Sequence, residues 1–161
     1  MIDLKKFDIK SFFNSADLIL DEFKNQNMPP ECYGWRSWKI EKSFCQSSKG
    51  ELNHLFDQQG RDFKDSEGFF YEFKQVKNAF KDIETPEIII KNYYKNCLGK
   101  PKKTFDYLIV FDIDRKALGI YDWDLVNQNL NVSDARITVK LKTSKAVQFL
   151  SIYDEIFENT P

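Results

Sequence analysis

Asp62, Glu72 and Lys74 are the residues of this chain whose types and spacing could do chemistry. Glu72 and Lys74 stand two apart in Phe69-Phe70-Tyr71-Glu72-Phe73-Lys74, an aromatic-rich run that reads as a strand over 69–76, so both leave the same face of it. Asp62 precedes them across Asp65-Ser66-Glu67-Gly68, a turn in which Gly68 is free to take positive φ. Folding residues 61–64 back as a hairpin partner sets Asp62 about opposite Tyr71, one place from Glu72, and a twist or bulge brings the carboxylates together. Two carboxylates can share a hard divalent cation, and an ammonium beside them can hold a water or steady a phosphate. That is the chemistry of a magnesium-dependent phosphodiesterase.

The acid-x-Lys triplet is not specific by itself. Six occur in the chain: Asp3/Lys5, Asp8/Lys10, Glu22/Lys24, Asp62/Lys64, Glu72/Lys74 and Asp114/Lys116. Context separates Glu72/Lys74 from the rest, since it sits on an apolar strand with an acid before it across a tight turn. The competing reading is a solvent-facing strand edge whose charges keep the hairpin soluble. Asp65 is the fallback acid, poorer because it stands at the tip of the turn.

The hydrophobic fraction of 42%, with 15 Phe and 7 Tyr, fits a folded domain of 161 residues that needs no metal or disulfide for its core. With 24 basic and 25 acidic residues the net charge is −1, which argues against indiscriminate nucleic-acid binding and leaves room only for a local basic cleft. Cys32, Cys45 and Cys97 form no CxxC pair and His54 is the only histidine, so zinc sites of ordinary spacing and two-histidine schemes are excluded. The cysteines read as free thiols in a reducing compartment. The mixed charge of Met1-Ile2-Asp3-Leu4-Lys5-Lys6 does not resemble a signal peptide, and no apolar run approaches the roughly 20 residues of a membrane span. A cytoplasmic protein without membrane contact is expected.

The elements that must position the site follow from periodicity and punctuation. Ser15 is a candidate helix cap, Pro29-Pro30 ends that helix, and Phe12, Phe13, Ala16, Ile19, Leu20 and Phe23 form one apolar stripe, read as core and as a candidate dimer contact. A second helix runs through Trp35, Trp38 and Phe44, and a short one is expected over 51–57. After the hairpin, 75–84 reads as a loop or fraying strand end. Thr85-Pro86-Glu87 starts a helix with Ile88, Ile89, Tyr93 and Leu98 on its buried face. Strands are expected over 105–112, 118–123 and 136–142, a short helix over 124–130, and a last helix from Ser144 to Asn159. The order predicts an α+β (mixed α/β) fold, a central mixed sheet flanked by helices in one domain: a helical part over 1–58, a catalytic core over 59–142 and a C-terminal helix over 143–161.

With these segments in place the chain resembles the PD-(D/E)xK nuclease superfamily and, within it, small PvuII-type restriction endonucleases. The likeness rests on Gly60-x-Asp62, Gly68 and Tyr71-Glu72-Phe73-Lys74, and continues through Pro86-x-Ile88-Ile89-Ile90-Lys91-x-x-Tyr94, two hydrophobic strands and Ile137-Thr138-Val139-Lys140, over about residues 55–142. The resemblance implies a restriction-endonuclease-like core in which Asp62 and Glu72 ligate Mg²⁺ (Mn²⁺ as substitute), the Phe73 carbonyl completes the metal shell, and Lys74 positions or activates the attacking water. It implies double-stranded DNA as substrate and a homodimer cutting a palindrome, as in a type II site-specific enzyme. The histidine-rich recognition segment of that type has no counterpart in 75–84, so the same target is not implied. Gln75, Lys77, Asn78 and Lys81 are chemically able to read base edges, and Lys100, Lys102 and Lys103 suit phosphates. Two alternatives stand beside the restriction enzyme: a structure-specific or repair nuclease such as a junction resolvase, and a non-catalytic DNA- or protein-binding module in which the hairpin only builds the sheet.

Overall fold

Alternation in the strand that carries Glu72 decides the architecture, because it sends Tyr71 and Phe73 to one side and Glu72 and Lys74 to the other. In this computed structural model, residues 1–56, 60–77, 88–89, 103–114, 116–132 and 137–152 are described. Their elements run α1 (Ile9–Asn25), α2 (Tyr33–Ser47), β1 (Leu52–His54), β2 (Phe63–Asp65), β3 (Phe70–Val76), β4 (Ile88–Ile89), β5 (Tyr107–Asp112), β6 (Ala117–Asp122), α3 (Trp123–Gln128), β7 (Leu130–Val132), β8 (Ile137–Val139) and β9 (Gln148–Ser151). Six strands form one mixed sheet in the order β1-β2-β3-β5-β6-β9, in which only β3 and β5 pair parallel. A smaller sheet has the order β4-β8-β7. The fold is α+β with a mixed central sheet.

Odd and even positions of the strands feed two cores. Tyr71, Phe73, Ile109, Phe111, Leu118 and Ile120 join Phe12, Phe13, Ile40 and Phe44 of the two long helices. Leu108, Val110, Ala117 and Tyr121 on the other face pack with Trp123 and Val126 of α3 and with Val139 and Leu141. The first core is bound by rings in edge and tilted contact: Phe12–Phe111 at 5.0 Å, Phe44–Phe73 at 5.1 Å and Phe12–Phe44 at 5.2 Å between centroids. These contacts fix α2 against β3.

The hairpin folds as the sequence implies, one residue tighter. Phe63 pairs with Tyr71 and Lys64 with Phe70, and Asp62, just before β2, donates its N–H to the Tyr71 carbonyl, one place from Glu72. Gly68 takes φ 93°, as the turn requires. Gly60 takes φ 80°, and a Cβ there would lie 2.6 Å from the Thr104 hydroxyl, so only glycine lets the chain enter β2 this close to the β5 approach. Asp65 is not a spare ligand. Its Oδ1 accepts from Glu67 N–H (3.0 Å) and Phe69 N–H (2.9 Å), and its Oδ2 accepts from the Tyr71 hydroxyl (2.7 Å), so the buried carboxylate builds the turn.

Several sequence expectations are corrected. The first helix starts at Ile9, where Asp8 caps it by accepting from Ser11 N–H, and Ser15 is mid-helix, because burying Phe12 and Phe13 demands helical register through them. Of its stripe, Phe12, Phe13, Ala16 and Phe23 are buried in the core, and Ile19 and Leu20 are half-buried against it. Residues 52–54 are a strand, since seven residues make a poor isolated helix while β2 offers an edge for pairing. Ile88 and Ile89 pair with Val139 and Thr138 in a strand instead of lying on the buried face of a helix, in keeping with the strand preference of β-branched side chains; the rest of the expected 85–98 helix lies outside the described residues. The expected last helix is one 3₁₀ turn over Thr143–Lys145 and then β9, which occupies the edge of β6 with Leu150 opposite Leu118; 153–161 lie outside the described residues. The strand expected over 136–142 keeps three residues, and Thr138 is buried instead of wet.

Phe44→Ala is expected to cost about 3–5 kcal/mol, as for other buried Phe truncations, and Leu18→Ala, on the exposed side of α1, less than about 0.5 kcal/mol. Urea denaturation of both variants checks the assignment of the core.

Candidate active site

β2 ends the pairing of β3 on one side at Tyr71, which leaves the next backbone donor on that edge without a strand. Asp62 fills the place. Its N–H donates to the Tyr71 carbonyl at 2.7 Å, and its Oδ2 accepts from Phe73 N–H at 2.8 Å. The same carboxylate therefore extends the ladder and stands beside Glu72. Along β3 the charges alternate with the buried rings of Tyr71 and Phe73, and Lys74 Nζ lies 2.8 Å from Glu72 Oε1. The second oxygen, Glu72 Oε2, is buried with no hydrogen-bond partner. An orphaned carboxylate oxygen in a buried acidic site is costly unless a cation completes it.

A further acid joins them that sequence reasoning missed. Glu41 lies on α2, one turn before Phe44, and is held at Oε2 by His54 Nε2 at 3.2 Å. Its carboxyl is pushed up to about 8 by burial and by the charges of Asp62 and Glu72, with Lys74 acting in the opposite sense. Asp62 is pushed up to about 7 by burial and by Glu72, against the Phe73 N–H and Lys74. His54 is pushed down by burial and by Lys42. The only sequence signal for Glu41 was helical phase, since Trp38, Glu41 and Cys45 share a stripe and put an acid among apolar neighbours. Nothing local tied it to a hairpin some 20 residues on.

Asp62 and Glu72, with Glu41 near enough to feel their charge, supply oxygen donors, and the unpartnered Glu72 Oε2 fits a hard divalent cation in donor type. Among the described residues no three His, Cys, Asp or Glu side chains are drawn tightly enough to cage an ion unaided. Phe73 buries its ring in the core, so only its backbone faces this chemistry.

The residues expected at DNA fall in different places. Gln75 turns onto α2, its Nε2 donating to the Ser37 carbonyl at 3.3 Å. Lys77 is exposed and lines a cavity of about 360 Å³ with Lys24 and Arg36. Lys103 is exposed and pairs with Asp106 at 3.1 Å. Asn78, Lys81, Lys100 and Lys102 lie outside the described residues. Among the described residues no helix is long and apolar enough to cross a membrane. Compared with known proteins, the chain matches no protein-family model and no curated protein sequence.

A carboxyl raised on folding binds more protons folded than unfolded between its two pKa values, so it lowers stability as pH climbs from about 4 towards about 8. Asp62→Asn is therefore expected to gain melting temperature on the wild type between pH 5 and about pH 7, and to keep that gain without further rise up to pH 8.5, in metal-free buffer. A difference that stays constant with pH would show that Asp62 is not raised.

Proposed function

We propose that the chain is a metal-dependent DNA endonuclease that hydrolyses phosphodiester bonds where α2 meets the β2–β3 hairpin. The observation that carries the reading is the convergence of Asp62, Glu72 and Lys74 on one hairpin, with Glu41 near enough to feel their charge, while Glu72 Oε2 is buried without a partner. Asp62, Glu72 and the Phe73 carbonyl would hold Mg²⁺ or Mn²⁺, with Glu41 beside them. When bound, the ion supplies Lewis-acid polarisation of the phosphate and a more acidic water. The chain's residues do the rest. Lys74, tethered to Glu72 at 2.8 Å, orients the incoming water and offsets charge growing on the phosphate oxygens. His54 holds Glu41 in place at 3.2 Å. The Phe73 N–H keeps Asp62 turned to the site at 2.8 Å.

The substrate is read as double-stranded DNA cut at a specific site, as by a type II restriction enzyme acting in the cytoplasm. A palindromic site calls for a homodimer of about twice the 19.1 kDa chain mass, each subunit cutting one strand. Lys77, Asn78 and Lys81 follow the catalytic strand and are the candidates for base edges, and Lys102 and Lys103 for phosphates. A sister reading, a structure-specific nuclease acting on partly unpaired DNA, draws support from exposed rings beside the site, treated below.

Asp62→Ala, Glu72→Ala, Lys74→Ala and Glu41→Ala are each expected to lower plasmid cleavage in Mg²⁺ by at least roughly 10²–10³-fold, the usual cost of one preorganised electrostatic group, with circular dichroism unchanged. Full activity in any of the four removes that residue from the site. Cleavage is expected to stop in EDTA and return with Mn²⁺; persistence in EDTA would refute the mechanism. Light scattering with and without DNA tests the dimer, and a strict monomer that nicks one strand would remove the palindrome and keep the chemistry.

A further inference from the structure

The face of α2 that leads to Glu41 carries large rings in the open. Trp35 is 60% exposed, and Phe56, two residues beyond the end of β1, is 62% exposed. Trp38 lies between them, with ring centroids 6.1 Å from Trp35 and 6.4 Å from Phe56. Phe56 in turn meets the edge of His54 at 4.6 Å, and His54 is bonded to Glu41. Trp35, Trp38 and Glu41 occupy successive turns of one helix, so the row of rings runs from solvent to the acidic centre over roughly 9 Å of helix axis. Two ammonium groups flank it: Lys42 Nζ is 5.1 Å from the Trp38 ring and Lys39 Nζ 5.9 Å from the Trp35 ring.

We propose that Trp35, Trp38 and Phe56 form a stacking platform for unpaired nucleotides that delivers a single strand to the acidic centre. Exposed rings gathered in one patch mark an interaction surface rather than chance. Lysines set against the rings point to a polyanion with flat apolar groups, since the cores of protein–protein contacts are depleted of lysine. A paired duplex hides the faces of its bases, so only unpaired bases can lie on these rings. The proposal rests on the nuclease reading for its purpose and names the substrate class: DNA with an unpaired segment beside the bond that is cut.

Binding is measured apart from cleavage, in EDTA, by quenching of tryptophan fluorescence; Trp123 is buried in the second core and serves as the unquenched background. A short oligothymidylate is expected to quench the signal, and a blunt duplex of equal length to quench it far less. Trp35→Ala and Phe56→Ala, each losing an exposed side chain, are expected to keep the circular dichroism of the wild type and to weaken oligothymidylate binding roughly 5- to 150-fold each. No quenching, equal quenching by the duplex, or wild-type affinity in both variants overturns the proposal. So does a wild-type dimer that either variant turns into a monomer, which would assign the rings to self-association. Binding that holds while Mg²⁺-dependent cleavage is absent on every DNA sinks the nuclease reading and leaves the platform; cleavage that holds while oligothymidylate fails to bind does the reverse.

Discussion

Phe73 is the residue on which the two halves of this structure hinge, because its side chain and its backbone serve different tasks at one place. The ring closes the contact between α2 and the sheet, 5.1 Å from Phe44 and 5.9 Å from Phe63. Its N–H, left without a strand partner where β2 ends, is taken by the Asp62 carboxylate at 2.8 Å. Strand geometry then forces Glu72 and Lys74 to the opposite face from the ring. One side of β3 thus builds the core that fixes α2, and with it Glu41; the other side and the edge gather the charges. Neither arrangement could shift register by one residue without reversing the other.

That coupling explains how a small domain holds three carboxylates together against their repulsion. Burial and neighbouring acids, Glu72 for Asp62 and both Asp62 and Glu72 for Glu41, push the two carboxyls well above the ordinary range, and a single ammonium, Lys74, offsets only part of it. The aromatic core supplies the rigidity: Phe12, Phe44, Phe73 and Phe111 lie in continuous contact, and their burial anchors α1, α2, β3 and β5 at once. Asp65 plays the complementary part. It is as buried as Glu72, yet its oxygens are engaged by the Glu67 and Phe69 N–H groups and the Tyr71 hydroxyl, so it stabilises the turn instead of storing charge. Two acids of similar burial on one hairpin are told apart by what their oxygens touch.

What the sequence made legible was local. The hairpin, the positive φ of Gly68, the two long helices and the β5–β6 pair all follow from turn chemistry and apolar period, signals that act within about ten residues. The failures share a cause. Residues 52–54 and 148–151 are strands only because β2 and β6 offer them edges, and an edge contributed from elsewhere in the chain leaves no local mark. Ser15 looked like a cap because the competing signature at Asp8 lay before the stripe's first obvious ring. Glu41 was illegible for the same reason on a larger scale, since its partnership with Asp62 and Glu72 is made by Phe44 packing on Phe73.

Helix phase on α2 carries the argument one step further. Ile40 and Phe44 point into the core with no measurable exposure, while Trp35, on the same helix and of larger apolar area, stands in solvent. Composition cannot separate these fates, because both are apolar side chains in one amphipathic segment. Position on the helix does: the stripe holding Trp35 and Trp38 leads to Glu41, whose carboxyl feels the charges of Asp62 and Glu72. A surface that receives a ligand must leave its rings uncovered by the chain itself, whereas the adjacent stripe must cover its rings to fix the acid in place. By turning about 100° per residue, the single helix presents Trp35 to solvent and buries Ile40 and Phe44 in the core.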